Sequence, residues 1–250
     1  MNEKPLVKTL TEAGIGSRRR MADAIKQGKV KVNGVTAESF NHPIDPAKDR
    51  ITFDGKPVDL KAEKIICLML HKPTGVVSTV SDEKQRQTVI DILPQEYRHY
   101  RLYPVGRLDI DTTGMVIMTN DGDLTYKLTH PRYEYEKEYL VAITGALTGA
   151  DKDEIRHGIL LEDGRTRPAR VQEVTEPPYN YSITIHEGKK RQVRRMFEHL
   201  KHSVTALKRI RIGTLLLGNL PEGETRALTA KEIAALLREN KPAVQENPKP

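Results

Sequence analysis

Residues 105–122, "VGRLDIDTTGMVIMTNDG", hold the side chains most able to do chemistry. Asp109, Asp111 and Thr113 occupy alternate positions, Gly114 follows, and Arg107 lies two residues ahead. Two chemistries use this pattern. Oxygen ligands at alternate positions before a glycine make the first half of a calcium loop. A carboxylate at the end of a strand, beside a guanidinium and ahead of an apolar run, is the reactive group of an enzyme. Calcium fails on counting. With Asp109 as the first ligand, the twelfth position is Asn120, where the loop needs a bidentate glutamate. Zinc has no ligand set either: Cys67 is the single cysteine, and His199 with His202 lacks a nearby third ligand. No metal is expected. A plainer reading keeps Asp109 as a turn residue paired with Arg107. Asp111 reads as a turn residue before Thr112-Thr113-Gly114, and Asp121 to Asp123 as a turn after the strand.

The elements around this stretch form two groups. In residues 1–60, "PLVKTLTEAG" predicts a short helix and "SRRRMADAIKQG" a second, with Ser17 as N-cap and Gly28 as stop. Met21, Ala24 and Ile25 recur at helical spacing and leave Arg18 and Arg19 outside. "KVKVNGVTA" and "RITFDGKPV" each alternate around an Asn-Gly or Asp-Gly pair, the strongest short hairpin signal. "DLKAEK", residues 59–64, is a polar linker.

A second domain is expected over 61–240. "IICLMLHKPTGVVST" predicts a strand, a Pro-Gly turn and another strand; "GMVIMTN", "EYLVAITG" and "NYSITIHEG" predict further strands. "DKDEIRHGI", "RQVRRMFEHLK" and "TAKEIAALLRE" predict helices, the last opened by a Thr229/Glu232 capping box. No regular strand–helix–strand period runs through the chain, so the fold class is α+β. Residues 241–250 read as a disordered tail.

Charge placement narrows the partners. The net charge is +7; residues 187–211 alone carry +7 and residues 1–34 carry +5, leaving the rest acidic. Two basic segments on an acidic body point to a polyanion. No apolar run approaches the ~18 residues of a membrane span, and the first residues lack the apolar segment of a signal peptide. A soluble, cytoplasmic, monomeric protein with no membrane contact is expected.

"GIGSRRRMADAIKQGKVKVNG" resembles the S4 RNA-binding module. The resemblance implies that Ser17, Arg18, Arg19, Lys29 and Lys31 face structured RNA. "YPVGRLDIDTTGMVIMTNDG" resembles the active-site motif of RNA pseudouridine synthases, in the ribosomal branch that carries an N-terminal S4 domain. "HPRYEYEKEYLV", "EGKKRQVRRMF" and "ALKRIRIGTL" are similar to that family's later motifs, so the likeness spans nearly residues 5–240. It implies a small S4 domain followed by a catalytic domain whose mixed, mainly antiparallel sheet is flanked by helices. It also implies isomerisation of uridine in ribosomal RNA or ribosome assembly intermediates. Atoms in equal atoms out, so no cofactor is required. "LYPVGRLD" and "GILLEDG" look like the B type of the family, whose target is large-subunit RNA; "GRLDIDTTG" also suits the type that acts on small-subunit RNA.

Carried over by position, the reactive carboxylate is Asp109, Tyr139 stacks on uracil or takes its C5 proton, and Arg194 pairs with Asp109. Arg107, Lys189, Lys190, Arg191, Gln192 and Leu207 fall at substrate-binding positions. A lone carboxylate in a dry site needs a compensating cation. Arg107 would share a face with Asp109 on a strand. Arg194 lies off the apolar stripe Val193, Met196, Phe197, Leu200 of its helix, where an i, i+4 pair with Glu198 is the plain alternative. Arg107 is then left to hold the gap of a flipped base, or the RNA backbone. The competing function is a non-catalytic RNA-binding assembly factor with a decayed active site. The presence of Asp109, Tyr139 and the arginine of the third motif favours the enzyme.

Overall fold

The structure, a computed structural model, describes residues 3–239. The tail expected at 241–250 lies outside them. The chain divides into two compact units between Ile65 and Ile66.

The first unit begins with α1 (Leu6–Glu12) and α2 (Arg18–Lys26). Ser17 has extended backbone, and its hydroxyl accepts the Arg20 N–H at 3.1 Å, which caps α2. Met21, Ala24 and Ile25 bury one face of α2 in a core with Leu6, Leu10 and Val30. The opposite spacing leaves Arg18, Arg19 and Arg20 in solvent. β1 (Val30–Val32), β2 (Val35–Thr36), β3 (Ile51–Phe53) and β4 (Lys56–Pro57) form a sheet in the order β2-β1-β3-β4. Asn33 (φ 52°) and Gly34 (φ 86°) are both left-handed, as a two-residue type I′ hairpin turn requires. Within the 59–64 segment, the Glu63 N–H donates to the Glu12 carbonyl at 2.9 Å.

The second unit is built on a nine-stranded sheet. Its strands include β5 (Cys67–Lys72), β6 (Tyr103–Val105), β7 (Thr113–Thr119), β8 (Lys137–Ile143), β9 (Arg170–Glu176), β10 (Tyr179–Ile185), β11 (Val204–Ile212) and β12 (Thr225–Ala227). The main path runs β9-β10-β8-β11-β7-β5-β12, with β6 paired to β7. Every pair on it is antiparallel except β11 with β7.

The runs "CLML" and "MVIM" lack polar alternation because both faces of the sheet are covered. Leu68, Leu70, Val116 and Met118 face one core, shared with α4 (Gly149–His157) and α5 (Gln192–His199) through Ile155, Val193, Met196 and Phe197. Cys67, Met69, Met115 and Ile117 face the other. That core is closed by Leu124 and Leu128 of α3 (Gly122–Thr129) and Leu236 of α6 (Ala230–Glu239).

Two local expectations change. After the Pro-Gly turn there is no second strand; Val77 makes only an isolated bridge to Thr88. Asp121 to Asp123 is not a plain turn. The Asp121 carboxylate accepts the N–H groups of Asp123 (2.9 Å) and Leu124 (3.0 Å) and starts α3. The short acceptor side chain that suits aspartate to turns also suits it to helix starts, and burial of Leu124 and Leu128 decides between them here.

Candidate active site

Asp109 lies on the segment between β6 and β7, outside any strand. Strand alternation therefore does not relate it to Arg107. That expectation fails because the chain leaves the sheet at Gly106 (φ 76°) and rejoins it only at Thr113. The segment is held instead by the residues after β5. The Ser78 hydroxyl donates to the Leu108 carbonyl (3.0 Å) and accepts the Leu108 N–H (3.1 Å). The Gly75 N–H donates to the Ile110 carbonyl at 2.8 Å. Beneath it, the fully buried Lys72 ammonium donates to the carbonyls of Pro73 (2.7 Å) and Val76 (2.8 Å) and reaches that of Ile110 (3.5 Å). Burial pushes this ammonium down to about 8, while Asp111, Glu222 and Asp109 favour its charge. The backbone carrying Asp109 thus rests on a rigid cationic base, and its carboxylate remains one-third exposed.

The carboxylate opens on a cleft of about 1180 Å³, also lined by Arg107, Tyr139, Lys190, Leu207 and Arg209. Tyr139 sits on β8, directly paired with Arg209 of β11. The Arg209 guanidinium lies over the Tyr139 ring, 6.0 Å from its centroid, with Nη1 at 3.5 Å from the hydroxyl. Its Nε–H donates to the Met115 carbonyl at 2.8 Å. Leu207, two residues earlier on the same strand, presents an apolar surface to the cleft. The register between β11 and β7 depends on Gly114, which pairs with Arg209. A Cβ there would lie 2.3 Å from the Arg209 carbonyl oxygen, and the backbone is left-handed (φ 109°), so only glycine fits. The strand after the aspartates and the strand bearing Arg209 therefore meet at a point where no side chain fits.

The cation beside Asp109 is not Arg194. Arg194 is buried. Its guanidinium donates to the carbonyls of Val204 (3.1 Å) and Asp111 (2.9 Å) and pairs with the Asp111 carboxylate at 3.3 Å. The carbonyl anchors aim its fork at the loop after Asp109 instead of at Asp109 itself. Arg191, left-handed (φ 51°) at the start of α5, lies 3.8 Å from the Asp109 carboxylate and 3.3 Å from that of Asp111. Asp111 thus ties both arginines to the loop.

The remaining expected contacts separate. Lys190 and Arg107 are exposed on the cleft wall. Lys189 turns inward, its ammonium donating to the carbonyls of Asp163 (3.2 Å), Gly164 (3.0 Å) and Arg165 (3.2 Å). Gln192 is buried; its amide donates to Glu187 at 2.8 Å and accepts the Lys189 N–H at 3.0 Å. Lys72 and Ser78 had no signal in the sequence beyond their place in or beside an apolar run, and Arg209 only its place in the "ALKRIRIGTL" segment. In the first unit, a separate groove of about 380 Å³ is lined by Ser17, Arg19, Arg20, Lys29 and Phe53. Among the described residues, no helix is long and apolar enough to cross a membrane.

Comparison with known proteins identifies the family. The S4 domain family matches residues 4–51, and the RNA pseudouridylate synthase family matches residues 66–199. Ribosomal large subunit pseudouridine synthase B of Bacillus subtilis (strain 168) is 39% identical, over 92% of this chain and 94% of its own. The protein of that name from Vibrio vulnificus is 38% identical, over 93% of this chain and 74% of its own. A crystal structure of a pseudouridylate synthase superposes with a TM-score of 0.66 at 35% identity, covering 92% of this chain and 98% of the other. With Asp109 and Tyr139 on one cleft and an S4 domain ahead of it, the chain belongs to the RNA pseudouridylate synthase family of enzymes.

Proposed function

We propose that this enzyme converts uridine to pseudouridine in large-subunit ribosomal RNA in the cytoplasm, with Asp109 as the reacting carboxylate. The observation that carries the reading is the Asp109 carboxylate, fixed through its backbone and open to a cleft with Tyr139 and Leu207 on its walls. The similarity to the two large-subunit enzymes supports the choice of RNA.

The reaction breaks the bond from ribose C1′ to uracil N1, turns the ring, and joins C1′ to C5. Asp109 serves it by attacking C1′ or by removing the C2′ proton. Glycosidases use a second carboxylate because they activate water. Here water is not a reactant, and the second group is aromatic: Tyr139 offers a ring for stacking and a hydroxyl able to take the C5 proton. Arg191 offsets the Asp109 charge, and Arg194 holds the loop through Asp111. Lys190 and Arg107 supply exposed cations for phosphates at the mouth of the cleft. Lys189 and Gln192 shape that mouth from within. In the S4 unit, Ser17, Arg19 and Lys29 share a groove, and Arg18 and Lys31 are exposed; these cations suit the shape and backbone of folded RNA.

The test is to map pseudouridines in both ribosomal RNAs from cells with and without the protein, then to treat the unmodified RNA with purified enzyme. One large-subunit uridine should depend on the protein and be restored by it. Loss of a small-subunit site instead would move the substrate to the other ribosomal RNA. No change in either RNA would refute the reading.

A further inference from the structure

Arg209 stands apart from the other arginines of its segment. Arg191, Arg194, Arg195 and Arg211 each pair with a carboxylate. Arg209 is only 3% exposed and has no carboxylate within ion-pair distance among the described residues. Its Nε–H is satisfied by Met115, its Nη1 lies at the limit of a hydrogen bond to Tyr139, and its buried Nη2 has no acceptor. Lys137 lines the same cleft. Burial and the Arg209 charge hold its ammonium down to about 8, against the pull of Glu187. A buried guanidinium with a spare donor and no counter-ion is costly unless an anion arrives. Gly114 is given up to a close approach that sets Arg209 in this position.

We propose that Arg209 is a catalytic residue whose guanidinium, turning toward the cleft it lines when the base enters, offers its spare Nη2 to a pyrimidine carbonyl and stabilises the detached uracil as an anion. The inference rests on the isomerase reading above. When the C1′–N1 bond breaks, its electron pair leaves with uracil and spreads over N1, O2 and O4. C1′ takes a pair from an Asp109 oxygen, or from the C2′–H bond as Asp109 removes that proton. When C5 bonds to C1′, the Asp109 oxygen departs with its pair or the C2′ proton returns. C5 loses its proton and N1 gains one, so substrate and product contain the same atoms. The only negative charge that develops on the base belongs to the free uracil. A buried donor acts most strongly on charge of that kind once the bound base has displaced water from the cleft. Stacking of the guanidinium over Tyr139 keeps the donor beside the ring that packs on the base.

The test compares RNA stem-loops carrying uridine or 5-fluorouridine at the target position. Fluorine withdraws electrons, so 5-fluorouracil leaves as a more stable anion and needs less help. Arg209→Gln should slow single-turnover cleavage of the uridine glycosidic bond by about 100-fold, the cost of losing one such donor. With 5-fluorouridine the loss should shrink to about 10-fold or less, following the leaving-group dependence of such steps. Arg209→Lys should fall between wild type and Arg209→Gln on uridine. The two substrates are read on one preparation, so a reduced folded fraction cancels in their ratio. If Arg209→Gln does not fold, the same ratio is read on Arg209→Lys. Equal losses on both substrates would overturn the proposal. Weakened affinity with an unchanged rate would also overturn it and assign Nη2 to a phosphate. A wild-type enzyme inactive on every uridine would refute the isomerase reading itself.

Discussion

Residues 1–34 and residues 187–211 both carry an excess of positive charge, +5 and +7. They use it in opposite ways. In the first segment Arg18, Arg19, Arg20, Lys29 and Lys31 are exposed and make no side-chain hydrogen bond or ion pair among the described residues. In the second, Arg191 and Arg194 hold the Asp109–Asp111 loop, and Arg195 holds Asp163. Arg211 is clamped between Glu136 and Glu138. Lys189 is turned onto three backbone carbonyls, and Arg209 is buried against Tyr139. Of the nine cations there, Lys190, Lys201 and Lys208 alone among the described residues keep their side chains unengaged. Counted charge is therefore not available charge. The first segment presents most of its cations to solvent; the second is mostly internal scaffolding with a few cations left facing outward.

The strongest way to break this contrast acts at the centre of the scaffold. Asp109→Asn should lower isomerisation by more than about 1000-fold, as removal of an essential catalytic group does, while RNA affinity stays within a few fold. Asp111→Asn should keep measurable turnover, because it anchors two arginines without meeting the substrate. Turnover in the Asp109 variant and none in the Asp111 variant would reverse the two assignments.

Arg194→Ala comes next. It removes a buried cation and leaves the carbonyls of Asp111 and Val204 without their donor. A loss of about 2 kcal/mol in stability is expected, the cost of leaving those two carbonyls without a donor, since the Asp111 carboxylate itself is partly exposed. The single-turnover rate should fall with it, since the loop loses its anchor. Urea unfolding and rate measurements on the same variant check this. An unchanged unfolding midpoint would place Arg194 outside the scaffold.

Removal of residues 1–65 sharpens the comparison from the other side. Ile66 N–H donates to Asn120 at 2.9 Å, so the cut must fall before Ile66. The 66–250 fragment should fold and act on a short stem-loop at saturating concentration. Its affinity for large ribosomal RNA fragments should drop by about 100-fold, through loss of a second tethered grip. An unfolded fragment by circular dichroism would mean that the first unit is structurally integral.

The smallest effects separate lysines that look alike in sequence. Lys189→Ala should cost about 1–2 kcal/mol of stability through its orphaned carbonyls and leave the salt dependence of RNA binding intact. Lys190→Ala or Arg19→Ala should leave stability unchanged. Each should weaken binding a few fold and reduce the slope of log affinity against log salt by about one. Equal salt slopes for the Lys189 and Lys190 variants would erase the distinction drawn here.

The sequence alone settled what neighbouring residues decide. Ser17 caps α2, Asn33-Gly34 and Asp54-Gly55 turn hairpins, and Thr229 with Glu232 opens α6, because each depends on atoms a few residues apart. The doubly apolar strands were legible for the same reason, and the spacing of Arg107, Asp109 and Asp111 marked the site. The tertiary structure decided where the long cations go. Lys189 finds its carbonyls about two dozen residues away, Arg194 finds Asp111 83 residues away, and Arg209 finds Met115 94 residues away. A lysine or arginine reaches whatever acceptor the fold brings within its span, and periodicity shows which face it leaves from but not what stands opposite. That is why the Asp109 loop looked like a strand with its own arginine. In the fold it is a loop held by Ser78, Gly75 and Lys72 from one segment and by Arg191 and Arg194 from another.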